Sequence, residues 1–235
     1  MENIKQQTLK SIALEHHEVI PVLEKYSLDF CCRGGKTLTE VCLEKDLDIS
    51  SLIEEMQQAA PVKAQMPFTE MNAEQLISFI LIHHHFYVKN SIPTIYNHIE
   101  KVVTKHGDKY PNMQQVLQLF TAVREELLPH MQKEEMILFP RIKELVTSVE
   151  NNDQQVFAPG FIDGPVLVME TEHDNAGQLM FAIRDLTNHY TAPETACTTH
   201  KVCLEELKAF EEDLHQHVHI ENNILFPMAK KMMEV

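Results

Sequence analysis

The chain has 235 residues, with 20 Lys and Arg against 35 Asp and Glu, for a formal charge of −15. That charge repels phosphate backbones and anionic lipid surfaces, so neither nucleic acid nor membrane is expected as a partner. The apolar runs are too short to span a bilayer, and the opening MENIKQQTLK lacks the apolar core of a signal peptide, so a cytoplasmic location is expected.

Five cysteines, two of them adjacent, do not form a secreted disulfide framework. Fourteen histidines are the unusual entry in the composition. With no Trp and only six Gly, and long stretches of Leu, Glu, Lys, Gln and Met, the balance favours an all-α protein.

In chain order, residues 1–60 read as a small helical domain. One helix is expected over Thr8–Tyr26, followed by the turn SLDFCCRGG. A capping box, Thr37-x-x-Glu40, opens a second helix, and Ser51-x-x-Glu54 opens a third that ends near Ala60. Residues 61–72, with Pro61 and Pro67, read as a linker.

Residues 73–235 then hold four amphipathic segments. The first opens at the N-cap Asn72 with Gln75 three residues on, and runs past Val103. The second covers about Pro111 to Leu145. The third runs from Pro165, placed for a first helical turn, to about His189, and the fourth from Thr199 to Met233. Four such helices suggest a four-helix bundle. Pro129, Pro140 and Pro227 are each expected to bend or end a helix.

One phrase is written twice: HMQKEEMILFP at 130–140 and HVHIENNILFP at 217–227. In the second segment the apolar stripe Met113, Val116, Phe120, Val123, Leu127 continues into His130, Glu134 and Ile137. In the fourth, Leu207, Phe210, Leu214 lead into His217, Glu221, Ile224 and Met228. Both His-x-x-x-Glu pairs therefore sit on the core-facing seam, where an unpaired charge is costly. An isolated pair of this kind is ordinarily a solvated surface pair; recurrence on two seams argues against that.

The two pairs lie 87 positions apart, and at nearly the same offset His85 is matched by His173. His85 shares a seam with Leu81, Val88, Ile92, Ile95 and Ile99, and His173 with Val166, Met169, Ala176 and Met180. Each half thus supplies one His from its first helix and a His-x-x-x-Glu from its second. Four imidazoles and two carboxylates suit two metal ions, each with two His and both glutamates bridging. Nitrogen and oxygen donors without thiolate point to iron, ahead of manganese, and not to structural zinc. Positions left open on such ions can take oxygen, peroxide or nitric oxide.

Of the neighbours, His83 and His84 are expected at the surface or beside the site, and Glu135 is set aside because the second motif has no matching glutamate. His219 is expected to point away; Glu126 and Glu172 could each hydrogen-bond a ligand or move a proton, with a solvated carboxylate the favoured reading of each. A ferritin-like site would use Glu-x-x-His; the His-x-x-x-Glu spacing here points to the hemerythrin-like kind of diiron bundle.

Cys31 and Cys32 precede Arg33, Gly34, Gly35 and Lys36. Two cations and a helix N-terminus there would lower thiol pKa, which makes the pair candidate redox or nitric-oxide-reactive thiols; a Gly-rich turn that happens to hold two small residues is the other reading. Cys42, Cys197 and Cys203 are expected to be packing residues.

DFCCRGGKTL, HMQKEEMILFP, ETEHDNAG and HVHIENNILFP together resemble the iron-sulfur cluster repair diiron proteins, the RIC family of ScdA/YtfE type, over nearly the whole chain. The resemblance implies a hemerythrin-like bundle with a non-haem diiron centre. Carried over by motif, its ligands are His85, His130, Glu134, His173, His217 and Glu221. It also implies a cytoplasmic homodimer that helps restore iron-sulfur clusters damaged by nitric oxide or peroxide, with damaged iron-sulfur proteins as partners. The Cys-Cys domain would be needed for full function, and the chemical step would be iron donation, nitric-oxide chemistry or both. The competing expectations are an oxygen or nitric-oxide carrier or sensor, and a nitric-oxide reductase or peroxidase.

Overall fold

The structure is a computed structural model that describes residues 4–31, 34–59, 68–152 and 157–234. Among these residues the ordered elements are helical, and the sole bridge of β type pairs Thr8 with Thr37. The all-α expectation holds.

The N-terminal part packs four short helices: α1 (Leu9–Glu15), α2 (Ile20–Lys25), α3 (Leu38–Glu44) and α4 (Ile49–Gln58). The helix expected over Thr8–Tyr26 is thus two. Thr8 caps α1, which ends at His16, and a single 3-10 turn leads into α2, whose first turn holds Pro21. Pro21 has no N–H to give to an upstream carbonyl, so a continuous helix would lose a bond there, whereas a fresh first turn loses nothing. The capping box of Thr37 and Glu40 forms as expected. Helix α4 starts earlier than expected, because Asp48 accepts from the backbone N–H groups of Ser50 and Ser51 and so takes the cap expected of Ser51. Residues 60–67, most of the expected linker, lie outside the described residues.

The bundle is built from α5 (Ala73–Phe79), α6 (Phe86–His106), α7 (Asn112–Lys133), α8 (Phe139–Glu150), α9 (Asp163–Leu186), α10 (Thr198–Ile220) and α11 (Phe226–Met232). Three π-helical turns, Ile80–His85, Glu134–Leu138 and Glu221–Leu225, join α5 to α6, α7 to α8 and α10 to α11. The four expected rods are therefore present, three of them interrupted by a wide turn. Asn72 and Gln75 form the capping box that opens the first.

The π turns decide what the prolines do. Pro140 and Pro227 follow a π turn and sit in the first turn of α8 and α11, where a missing N–H is harmless. Pro129 is exposed within α7, which continues through it. Each π turn also adds a residue and shifts the phase of the buried stripe. Ile137, expected on the seam, is 44% exposed, and Leu138 and Phe139 are buried in its place.

The apolar core forms two clusters. One contains Val88, Leu127, Met131, Ala176 and Leu214, and takes in Leu9, Leu23, Phe30 and Leu38 from the N-terminal helices. The other contains Ile80, Leu138, Phe139, Met169, Ile220 and Phe226. Burial of each such side chain contributes about 1.5–3 kcal/mol, and the two plugs together offset the cost of the polar residues between them.

Candidate metal centre

His85, His130, Glu134, His173, His217 and Glu221 stand between those plugs, and none is more than 1% exposed. The structure brings together all six residues singled out from the repeat. Their donor atoms fall into two groups, each within 4.8 Å: His85, Glu134, His217 and Glu221 in one, His130, Glu134, His173 and Glu221 in the other. Each group takes one imidazole from each half of the repeat, and the two groups share both carboxylates.

The contacts are short. Glu134 Oε2 lies 3.2 Å from His85 Nε2 and 3.4 Å from His130 Nε2. Glu221 faces one group with each oxygen, Oε1 at 3.0 Å from His217 Nε2 and Oε2 at 3.1 Å from His173 Nε2. His130 Nε2 and His173 Nε2 are 3.0 Å apart. Each half reaches this point because i and i+4 share a helix face, which brings His130 over Glu134 and His217 over Glu221.

The donor set has the character of a cation site. Both oxygens of Glu134, Glu221 Oε2 and His85 Nε2 are fully buried without a hydrogen-bond partner among the described residues. Two carboxylates in an apolar interior would cost several kcal/mol each if left unpaired. Among the described residues no lysine or arginine pairs with them. Cations shared between the two groups satisfy every one of these atoms at once, so the residues fit the metal that the His/Glu pattern calls for.

Three imidazoles are held from behind at Nδ1. Glu135 Oε1 lies 2.7 Å from His85 Nδ1 and is itself bound by Lys89 at 2.7 Å. Glu172 Oε2 lies 3.0 Å from His130 Nδ1, with Lys133 on its other oxygen. Asn222 Oδ1 accepts from His173 Nδ1 at 2.9 Å. His217 Nδ1 has no hydrogen-bond partner among the described residues. Such outer contacts fix ring orientation and strengthen the donor.

The electrostatics follow. Burial works against charge on His85, but the adjacent Glu134 carboxylate, aided by Glu221 and Glu135, raises its pKa above the ordinary value. At His217 burial wins over Glu221, and the pKa falls. Burial pushes the Glu221 carboxyl up, yet His217 and His173 together hold it well below the usual carboxylate range. Burial likewise opposes ionisation of Glu135 and Glu172, and in each a lysine and a histidine prevail and lower the pKa.

Several sequence expectations need correction. His84 is buried, with Nδ1 2.9 Å from Asp213 Oδ1, and it stacks on His217 with ring centres 5.3 Å apart and planes 1° apart. His83 is exposed, as expected, against Phe79. Glu172 and Glu135 are not idle carboxylates but hold ligand-type imidazoles. The position matching Glu135 in the second motif is Asn222, which holds His173 as Glu135 holds His85; reading the repeat for role and not for residue type would have found both.

Glu126 has one oxygen buried without a partner among the described residues. His219 does point away, but into the interior against Phe30 at 5.5 Å, and burial lowers its pKa to about 4.

Of the features expected to lower thiol pKa at the cysteine turn, Lys36 and the helix N-terminus are already engaged. Cys31 is buried, and its Sγ lies 3.4 Å from Asp29 Oδ1. Lys36 is engaged by Glu44 at 2.7 Å, and the N-terminus of α3 is taken by its own capping box. Cys32 and Arg33 lie outside the described residues. Cys42 and Cys203 are buried, the latter with its thiol pushed up to about 12 by burial, as packing residues should be; Cys197 is only half-buried, at the cap of α10.

A helical bundle whose two halves aim His and Glu at one shared, buried cluster defines a hemerythrin-like cation-binding protein. Comparison with known proteins agrees: the hemerythrin HHE cation binding domain matches residues 76–229, and a domain of unknown function, DUF542 (ScdA_N), matches residues 5–60. Proteins named iron-sulfur cluster repair protein YtfE are similar over nearly their whole length. That of Citrobacter koseri is 32% identical over 97% of this chain and 98% of its own. Those of an Enterobacter species and Escherichia coli O81 are 32% and 33% identical, each over 96% of this chain and 97% of its own. The chain belongs to the iron-sulfur cluster repair family of hemerythrin-like proteins. No described helix is long and apolar enough to cross a membrane.

Proposed function

We propose that the chain holds two iron ions on His85, His130, Glu134, His173, His217 and Glu221, and that it repairs iron-sulfur clusters damaged by nitrosative or oxidative stress. The observation that carries this reading is the pair of four-donor groups sharing Glu134 and Glu221 in a dry interior. Iron held there would supply a reservoir that can be donated and open positions that bind nitric oxide or peroxide. The chain's own residues set the donor geometry, keep water out and hold the ligand imidazoles in one tautomer. Damaged iron-sulfur proteins are the partners this implies, with residues 1–60 and 73–235 acting as two domains of a cytoplasmic homodimer. Cys31 and Cys32 are its candidate reactive thiols.

A pure carrier is not favoured, because the similar proteins that carry the repair name match the N-terminal part as well as the bundle. The test is metal analysis and a near-ultraviolet spectrum of anaerobically loaded protein, followed by recovery of a dehydratase whose cluster nitric oxide has damaged. About two irons per chain and recovery of the dehydratase are expected. The double variant His130→Ala, His217→Ala should bind no iron, stay helical and restore nothing. Equal recovery with that variant would overturn the reading, and sustained nitric-oxide turnover with a reductant would make the protein an enzyme.

A further inference from the structure

Three of the four ligand-type rings are held at Nδ1 by Glu135, Glu172 and Asn222. The fourth, His217, meets Glu221 Oε1 with its Nε2 at 3.0 Å, while its Nδ1 has no hydrogen-bond partner among the described residues. The torsion that turns an imidazole about its Cβ–Cγ bond is broad, so one contact at one nitrogen does not set the plane of the ring. Ligand rings are ordinarily oriented by a second contact.

The neighbour placed to supply that contact is His84, which is buried. The rings of His85 and His173 meet His217 at tilts of 63° and 61°. His84 lies parallel to it, with centres 5.3 Å apart and planes 1° apart. Aromatic rings favour an offset stack of this kind, and His217 cannot turn without driving its edge into the ring beside it. The block holds only if His84 is itself fixed. Its Nδ1 lies 2.9 Å from Asp213 Oδ1, and the ring of Phe79 meets it at 5.5 Å and 66°. Asp213 and His217 are four residues apart on α10 and share a helix face. His84 thus reaches across from the first rod and closes a loop of contacts with two positions on one turn of the fourth.

Space filling does not account for this arrangement. His84 Nε2 and Asp213 Oδ2 are both buried without a hydrogen-bond partner among the described residues, a cost that an apolar side chain at position 84 would not carry. Neither donor group includes His84. What an imidazole has there, and a phenyl ring lacks, is the bond to Asp213.

We propose that His84, anchored by Asp213, is a positioning residue that sets the plane of the His217 ring and so readies the His85/His217 group for its ion. This rests on the reading of the cluster as a metal centre. One π turn, Ile80–His85, then supplies both a donor to that group and the brace for the group's other imidazole. The ring without an Nδ1 partner is held by its face.

One test needs no metal. In metal-free full-length protein with 13C-labelled histidine, nuclear relaxation reads the order of each ring. The His217 ring should be as ordered as those of His130 and His173. His84→Phe and Asp213→Leu should each lower the order of His217 and leave the other two unchanged. Asp213→Asn, which keeps a hydrogen-bonding partner for His84 Nδ1, should match the wild type. In iron-loaded protein, His84→Phe and Asp213→Leu should each release the faster-leaving iron to a chelator about 10–100-fold sooner, with the slower phase unmoved. The double variant should be no worse than either single one, because both break the same brace.

A His84→Phe protein that matches the wild type in ring order and iron release reduces His84 to packing and overturns the proposal. So does a fall in ring order with no change in iron release. If the substituted proteins do not fold, the wild type decides, since a His217 ring less ordered than that of His173 refutes the brace. A wild type that takes up no iron overturns the metal reading instead, a failure that the metal-free ring measurement keeps separate.

Discussion

The two halves of the His/Glu cluster present like donors on different backing. In the first half, His85 and His130 lean on carboxylates that are a quarter or more exposed and are themselves tied to Lys89 and Lys133. In the second, His173 leans on an amide that faces the turn at Cys31, and His217, without an Nδ1 partner among the described residues, has the parallel ring of His84 at its face. One half is braced from the surface by charge; the other is braced from within by neutral groups. Since each donor group draws one imidazole from each half, the His130/His173 position has both rings supported and the His85/His217 position has one. The duplication therefore builds two unequal donor groups, one with both rings supported at Nδ1 and one with a single ring so supported.

The largest break in this comparison is expected from Glu221→Ala, which removes a donor from both positions; affinity should fall by more than about a hundredfold, read as iron retained after gel filtration. Glu134→Ala should match it, and a variant that keeps one iron would show that the carboxylates are not shared.

The next effect is kinetic. Chelator should strip the wild type in two phases whose rates differ by about 10–100-fold, the usual reach of an outer contact on metal affinity. Glu172→Ala, which unbraces His130, should draw the phases together; a single phase in the wild type would mean the halves are equivalent after all. Gly34→Ala puts a Cβ on the carbonyl oxygen of Phe30, which Asn223 holds. It disturbs only the surroundings of the second half and should cost about 1–3 kcal/mol in thermal unfolding while iron content stays level. The smallest effect is expected from Asn72→Ala. It removes the cap of the rod that carries His85, costing about 1 kcal/mol and lowering Tm by about 2–4 °C with no change at the second half.

Much of this was legible from the sequence. The recurrence of His-x-x-x-Glu on apolar seams and the near-equal offset of His85 and His173 pick out the six residues that the fold brings together. What failed was the assumption of one helical period throughout. The turn Ile80–His85 is wider than an α-helical turn, and consecutive His84 and His85 are both buried in it. Ile137 was misplaced for the same reason. The roles of Glu172 and Asn222 were hidden differently: each supports a ring on another rod, and a contact of that kind leaves no spacing within one helix. The break of the first helix at Pro21 was readable and was passed over.

The wide turns have a consequence for how the chain can tolerate change. Each is, in effect, an α-helix with one residue too many, and it lets a single rod aim its upstream stretch at the ions and its downstream Leu-Phe-Pro at an apolar plug out of step with them. The wide turn absorbs that residue locally, whereas gaining or losing one in a regular stretch would rotate everything beyond it by about 100°. Point substitution can tune this protein gradually, but the gain or loss of one codon in a regular stretch of a rod, with no wide turn to absorb it, would dismantle the core that the rod closes.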